Sequence, residues 1–433
     1  MSSVRLSPSN SKPPRRLALV DCNNFYASCE RVFQPAWGQR PVGVLSNNDG
    51  CLVARSNELK EAGVPMGAPY FKIRPQLDAM DAIVVSSNYA LYGDLSARVM
   101  ETLSQFAPEM EVYSIDEAWL DLTGIDTTCL DAYARHIAAT VKQHTGIPVS
   151  LGIAPTKVLA KIANRLCKKR KIPGQVFNLG SADCLDGVLA SIEVGDVWGI
   201  GPRWAKTLNS IGIATARDLR DADAALMGKR YNVVMERLIL ELRGIPCLEF
   251  EDIQPKKQII ASRSFGQRIV DLDPLLEAVS LHATRAGEKL RSQGSVCGAI
   301  QASIRTGRHN PNEPYYGNAA LVQFPVSTAD TRKLIGAARE AVRQIYRKGY
   351  RYQKAGVMLV DISPADQLQL GLFETGDSAQ SQALMQCVDQ LNRRYGRGAV
   401  FFASEGTRQS WAMKRERMTQ AYTTKWSEVP VVR

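Results

Sequence analysis

Three acidic residues stand where they can act together. Asp21 closes the apolar run Leu17, Ala18, Leu19, Val20, which reads as a short strand with a carboxylate at its exit. Asp116 and Glu117 sit in the middle of an alternating run, 112–122, that reads as a half-buried strand stopping at Thr123 and Gly124. Acids on neighbouring strands can converge on one point, and uncompensated carboxylates are costly together unless a cation lies between them. Hard divalent magnesium is the natural occupant. Two such ions, about 3.5–4 Å apart, activate a hydroxyl and stabilise a leaving oxygen in an in-line phosphoryl displacement. An Asp-Glu pair alone is usually a solvated surface feature; the apolar neighbours Ile115, Ala118 and Trp119, and above all the pairing with Asp21, argue for a site. Adjacent strand residues face opposite sides, so the strand must bend or end at Asp116, or else Asp116 bridges both ions while Glu117 serves one.

A triphosphate needs further cations and donors. Lys157 opens a predicted helix, 157–169, after the turn Ala154, Pro155, Thr156, where free backbone N–H groups favour phosphate; the outer face of that helix is basic. Arg55 and Lys60 fall on a predicted short helix, 52–62, closed by Gly63, in a small α/β insert that includes a strand at 41–45. Each of these cations taken singly is as readily an exposed helix charge. Gly199, Ile200, Gly201 and Pro202 allow close approach of backbone to a phosphate, with Pro202 starting a helix and Ile211, Gly212, Ile213 forming a second turn. A plain turn between packed helices explains that pattern equally well.

The elements that hold these groups alternate between strand and helix. A helix is predicted over 133–144 and a strand over 149–153; strands such as 299–304 and helices such as 274–291 fill 249–360. At roughly 150 residues per domain, 433 residues imply about three domains. The formal charge of +11 favours a polyanionic partner, and the region 249–360 holds 17 Lys and Arg against 10 Asp and Glu. No run is long and apolar enough for a spanning helix, so membrane insertion is not expected. The nine cysteines are scattered without a close CxxC pair, which fits reduced thiols in a cytosol and excludes a zinc knuckle or a disulfide framework. Residues 1–16 read as a basic flexible arm, and 366–377 as a polar linker carrying the apolar cluster Leu370, Gly371, Leu372, Phe373.

Together these residues resemble the Y-family, or translesion, DNA polymerases, and within them the UmuC-type branch. The resemblance spans about Leu17 to Thr424. It rests on Asp21-Cys22-Asn23-Asn24-Phe25-Tyr26, Ser46-Asn47-Asn48-Asp49-Gly50-Cys51, Ser86-Ser87-Asn88-Tyr89 and Tyr113-Ser114-Ile115-Asp116-Glu117-Ala118. Further marks are Asp196-Val197-Trp198-Gly199-Ile200-Gly201, Ser262-Arg263-Ser264-Phe265-Gly266 and Tyr352-Gln353-Lys354-Ala355-Gly356.

The resemblance implies an α/β multidomain right hand: palm at 17–32 and 86–180, small fingers at 33–85, a helix-hairpin-helix thumb at 181–248, a little finger at 249–360, and a clamp- and partner-binding tail at 361–433. It implies metal binding by Asp21, Asp116, Glu117 and the Cys22 carbonyl, two Mg2+ ions, and Tyr26 as a steric gate against the ribose 2′-OH. Lys157, Lys60 and Arg55 would meet the triphosphate, although Asn57 stands where other branches place a phosphate-binding tyrosine. Gly199, Gly201 and Arg263 would meet DNA. Gln369, Leu370, Leu372 and Phe373 would dock in a sliding clamp, and Trp411 to Thr424 resembles the UmuC tail. The implied partners are primer-template DNA, deoxynucleoside triphosphates, a UmuD′-like dimer and a recombinase filament, at the bacterial nucleoid in the cytoplasm. The rival readings are a non-catalytic DNA-bound regulator on the same fold and a two-metal nuclease.

Overall fold

Leu17, Ala18, Leu19 and Val20 are all buried because the strand they form, β1 (Leu17–Cys22), is central in its sheet and covered on both faces. The computed structural model describes residues 15–181, 185–251, 254–308, 312–367 and 376–431. Most of the basic arm, and the expected docking residues Gln369, Leu370, Leu372 and Phe373, lie outside the described residues. The chain divides into two units. One holds the described residues up to Leu45, from Leu52 to Glu251 and from Arg417 onward; the other holds Ser46–Cys51 and the described residues after them up to Glu416.

In the first unit β1 leads into α1 (Phe25–Val32). A three-stranded sheet follows, in which β2 (Val42–Leu45) runs antiparallel to β3 (Leu52–Arg55) and parallel to β4 (Ile83–Ser86), with α2 (Asn57–Glu61) and α3 (Tyr70–Ala79) between the last two. The helix expected over 52–62 is therefore half strand. Leu52 and Ala54 pair with β2 and turn inward, and helix begins only after Ser56, whose hydroxyl is taken by the Val42 N–H. Next come α4 (Tyr89–Leu103), β5 (Met110–Val112), β6 (Glu117–Asp121), α5 (Leu130–Thr145), β7 (Val149–Ala154), α6 (Lys157–Lys169) and β8 (Val176–Asn178). The main sheet has the order β5-β6-β1-β7-β8. The single strand expected over 112–122 is instead the hairpin β5–β6, because Ser114 turns the chain by accepting the Asp116 and Glu117 N–H groups.

Strand alternation sends Ala18 and Val20 toward α4 and α5, and Leu19 and Trp119 toward α6. α6 lies close against β7 at Gly152, where a Cβ would come within 2.1 Å of the Asn164 nitrogen and 2.4 Å of the Ala160 oxygen. The helices α7 (Leu185–Ala190), α8 (Pro202–Asn209), α9 (Ala216–Asp221), α10 (Ala224–Arg230) and α11 (Val233–Leu242) share the core under α6. Buried Glu241 on α11 accepts from the N–H groups of Val158, Cys247 and Leu248, so its charge is spent holding the start of α6.

The second unit is an antiparallel sheet of β9 (Ile259–Ile269), β10 (Ser295–Thr306), β11 (Gly317–Thr328) and β12 (Tyr352–Pro364), ordered β11-β10-β12-β9. The helices α12 (Leu272–Ser292) and α13 (Thr331–Ile345) share its core. β12 runs on to Pro364 and α14 (Ala379–Tyr395) begins after the expected linker 366–377, most of which lies outside the described residues. Among the described residues no helix is long and apolar enough to cross a membrane.

Two outcomes follow for stability. Gly152→Ala drives a methyl into the α6 backbone and costs about 1–3 kcal/mol or more, read as a lowered thermal midpoint. His282 on α12 is buried, and burial, followed by the charges of Arg263 and Lys354, holds its imidazole down at about 4. Between pH about 6.5 and 4 the unfolded chain therefore takes up a proton that the folded one refuses, so stability falls as pH drops through that window. The loss is on the order of 3 kcal/mol, and His282→Leu should flatten the profile of denaturant midpoint against pH.

Candidate active site

β1 and β6 are antiparallel in a register that sets Asp21 directly opposite Glu117. Opposed residues share a face, and their Cβ atoms lie about 4.5–5.5 Å apart. Asp116 is added by the turn rather than by the strand: its carbonyl accepts the Cys22 N–H at 2.8 Å, and its carboxylate accepts the Ser114 hydroxyl at 2.7 Å. The problem of adjacent acids diverging is thus resolved, because β6 starts at Glu117 and Asp116 precedes it. Burial raises the Asp21 carboxyl; Lys168 pulls it down, Glu117 and Asp116 push it back up, and the net result is a shift upward from the ordinary aspartate value.

Two lysines of α6 answer this charge. Lys168 Nζ lies 2.5 Å from Asp21 Oδ1, and Lys161 Nζ lies 2.9 and 3.2 Å from the two oxygens of Glu117. Neither was singled out from the sequence. Their signal was the i, i+4, i+11 spacing of Lys157, Lys161 and Lys168, a stripe on one helix face. Lys157 itself, expected at the triphosphate, is 4% exposed, bonded to Glu111 Oε2 at 2.6 Å and to the Glu249 carbonyl at 2.8 Å. Its charge is consumed in tying α6 to β5 and to the chain after α11.

Lys60 lies on the same side as Asp21. Burial lowers its ammonium, the neighbouring charges of Lys168 and Arg55 lower it further, and Asp21 opposes them. Lys60 also donates to Asn24 Oδ1, and Asn24 in turn donates to Asn57 Oδ1 at 2.9 Å, joining the start of α1 to α2. Asn24 takes the left-handed conformation (φ 51°) that asparagine tolerates. Arg55 ends β3 instead of lying on a helix, and its guanidinium donates to the Val64 carbonyl.

Tyr26 stands in the first turn of α1. Its ring stacks on Tyr92 at 4.4 Å and meets Tyr89 edge-on at 6.1 Å, both on α4. Burial, then Tyr89 and Asp116, raise its phenol, which puts it within electrostatic reach of the acids. Gly199 (φ 94°) and Gly201 shape the turn that leads into α8; the turn at Gly212 and a capping box of Thr215 with Asp218 then start α9. Arg263 lies on β9 in the second unit.

Whether this donor set suits a metal can be judged from its chemistry. Among the described residues no group of three or more His, Cys, Asp or Glu is arranged to hold an ion, and Lys161 and Lys168 are paired with two of the acids. The oxygens themselves are hard donors, crowded by like charge and already calling for compensation, which fits Mg2+ and not a soft transition metal.

The impB/mucB/samB family matches over residues 20–165, its C-terminal domain over 256–372, and a domain of unknown function over 382–432. The chain is 47% identical over 418 residues to protein UmuC of Salmonella typhimurium, covering 95% of this chain and 99% of that one. It is 44% identical to protein ImpB of Salmonella typhimurium, covering 96% and 99%, and 28% identical to DNA polymerase IV of Caulobacter vibrioides, covering 89% and 92%. Among solved structures, a Y-family DNA polymerase chimera built on Dbh superposes with a TM-score of 0.63 at 22% identity, over 80% of this chain and 99% of that one. An insertion ternary complex of Dbh DNA polymerase does so with a TM-score of 0.53 at 22% identity, with the same coverage. Identity at that level over almost the whole length, on a polymerase fold with three acids converging at its central strands, means that the chain belongs to the impB/mucB/samB family, as a UmuC-type Y-family translesion DNA polymerase.

Proposed function

We propose that Asp21, Asp116, Glu117 and the Cys22 carbonyl are the metal-binding and catalytic groups of two-metal nucleotidyl transfer. In this reaction the primer 3′-oxygen bonds to the α-phosphorus of a deoxynucleoside triphosphate as pyrophosphate leaves. A pair of Mg2+ ions, when bound, would supply the Lewis acidity for attack and departure. The observation that carries this reading is the opposed register of Asp21 and Glu117, with Asp116 tied to Cys22.

The chain's own residues do the rest. Lys168, Lys161 and Lys60 are the cations available to a triphosphate. Their pairing with acids and with Asn24 keeps the site compensated until phosphate oxygens take over the lysines and release the carboxylates. Arg55 contributes charge at longer range. Tyr26, held against Tyr92, fills the space where a ribose 2′-OH would project.

On this reading, 17–32 and 86–180 form the palm, 33–85 the fingers, 181–248 the thumb and 249–360 the little finger. Gly199 and Gly201 approach the DNA backbone through their N–H groups, and Arg263 adds charge on the little finger. Small fingers enclose the nascent pair poorly, which leaves base pairing as the main selection and makes copying tolerant of damage and error-prone. Gln369, Leu370, Leu372 and Phe373 would anchor the chain in a sliding clamp. A UmuD′-like dimer and a recombinase filament complete the proposed partners, acting at the bacterial nucleoid in the cytoplasm during the DNA damage response.

Primer extension by the purified chain, alone and with those partners, tests the reading. Asp116→Ala should lower extension by at least about a thousandfold while leaving primer-template binding intact. Equal extension by that variant, or primers that shorten without nucleotides, would overturn it. Lys168→Ala should raise KM for nucleotide by about ten- to a hundredfold, whereas Lys157→Met should lower the thermal midpoint and leave KM nearly unchanged.

A further inference from the structure

The segment after Arg417, within the domain of unknown function, is built into the first unit at the two helices that carry the gate. Ser86 and Arg417 exchange two hydrogen bonds: Ser86 N–H donates to the Arg417 carbonyl at 3.0 Å, and Arg417 N–H donates to Ser86 Oγ at 3.0 Å. The Arg417 guanidinium lies 5.4 Å from the centre of the Tyr70 ring on α3. Asn88, the N-cap of α4, donates its Nδ2 to Thr419 Oγ1 and to the Gln420 carbonyl, each at 3.1 Å, while its Oδ1 accepts the Leu91 N–H. Tyr422 is buried in the palm core, stacked at 4.7 Å on Phe33 just after α1, and its hydroxyl accepts from Gln34 at 2.9 Å.

Between the two helices that these contacts brace lies one buried carboxylate. Glu30 on α1 is fully buried and accepts the Tyr92 hydroxyl at 2.6 Å. Burial pushes its carboxyl up, and the Tyr92 and Thr419 hydroxyls pull it back. Thr419 is therefore bonded to Asn88 at the head of α4, Tyr422 stacks just beyond the end of α1, and between them the Tyr92–Glu30 bond joins the two helices, Tyr92 being the ring on which Tyr26 stacks. A fully buried acid is costly, and Glu30 has the Tyr92 hydroxyl as its hydrogen-bond donor while its Oε2 has none among the described residues, so the relation of α1 to α4 depends on what else braces the two helices.

We propose that Arg417–Tyr422 is a clip that locks α1 against α4, and that Thr419 is a positioning residue for Tyr26 and thereby for sugar selection. The proposal rests on Tyr26 being the gate. The clip touches neither the acids nor the lysines of the site, so releasing it loosens the gate and spares the chemistry.

The test is single-turnover incorporation of deoxy- and ribonucleotides by the full-length chain on primer-template with Mg2+. It uses Thr419→Val, Thr419→Ser, Tyr422→Ala and Tyr26→Ala, together with hydrogen exchange at the amides of α1 and α4. Thr419→Val should narrow the deoxy-to-ribo preference by about tenfold, with deoxynucleotide incorporation within about threefold of the parent. Exchange over Phe25–Val32 should rise, and Thr419→Ser should restore both. A merely structural role would slow both sugars alike, and that result overturns the clip. So does unchanged preference in Thr419→Val and Tyr422→Ala while Tyr26→Ala loses it. Unchanged preference in Tyr26→Ala overturns the gate instead, and the clip then stands only if exchange in α1 rises in Thr419→Val.

Discussion

Like charge held at close range is the constraint on which the site depends. Backbone pairing of β1 with β6 is cooperative with the whole core of the first unit, and it leaves Asp21 opposite Glu117 whatever the two carboxylates would prefer. The Cys22–Asp116 hydrogen bond adds the third acid. Repulsion among them is relieved by α6, whose approach is set by Gly152 below and by Glu241 at its start. The lysines of α6 are thus the partners the acids have before any substrate arrives, and the same lysines are suited to phosphate. Exchange of one counter-charge for another lets such a site stay folded in both conditions.

Much of this was legible in the sequence, for identifiable reasons. β1, β7 and α6 were read almost to the residue, since short apolar runs and strong amphipathic periodicity are local signals. The convergence of Asp21 with Asp116 and Glu117 followed from acids carried on neighbouring strands, one at a strand's exit and two within an alternating run. Fold and family came from motifs spread along nearly the whole chain.

What was not legible depended on tertiary partners. The hairpin at Ser114 was hidden because Val112 to Leu122 alternates well enough to pass as one strand, and only the hydroxyl of Ser114 breaks it. Residues 52–55 look helical beside 57–61 until β2 is there to pair with them. Lys157 occupies an attractive position at a helix start, yet Glu111 and the Glu249 carbonyl, far away in sequence, claim it. Lys161 and Lys168 were passed over because a basic helix face ordinarily points to solvent; here strand alternation puts Asp21 and Glu117 beneath it. The contacts from Arg417 to Tyr422 had no local signal at all, being defined by Asn88, Gln34 and Phe33 more than 300 residues earlier.

The most direct measurement of the central claim is anomalous scattering from crystals of the full chain grown with primer-template, a non-hydrolysable deoxynucleoside triphosphate and Mn2+ in place of Mg2+. The account predicts two peaks about 3.5–4 Å apart among Asp21, Asp116 and Glu117, with Lys161 and Lys168 turned from the acids to the phosphates. No peak there, with both lysine pairs intact beside a bound nucleotide, would contradict it.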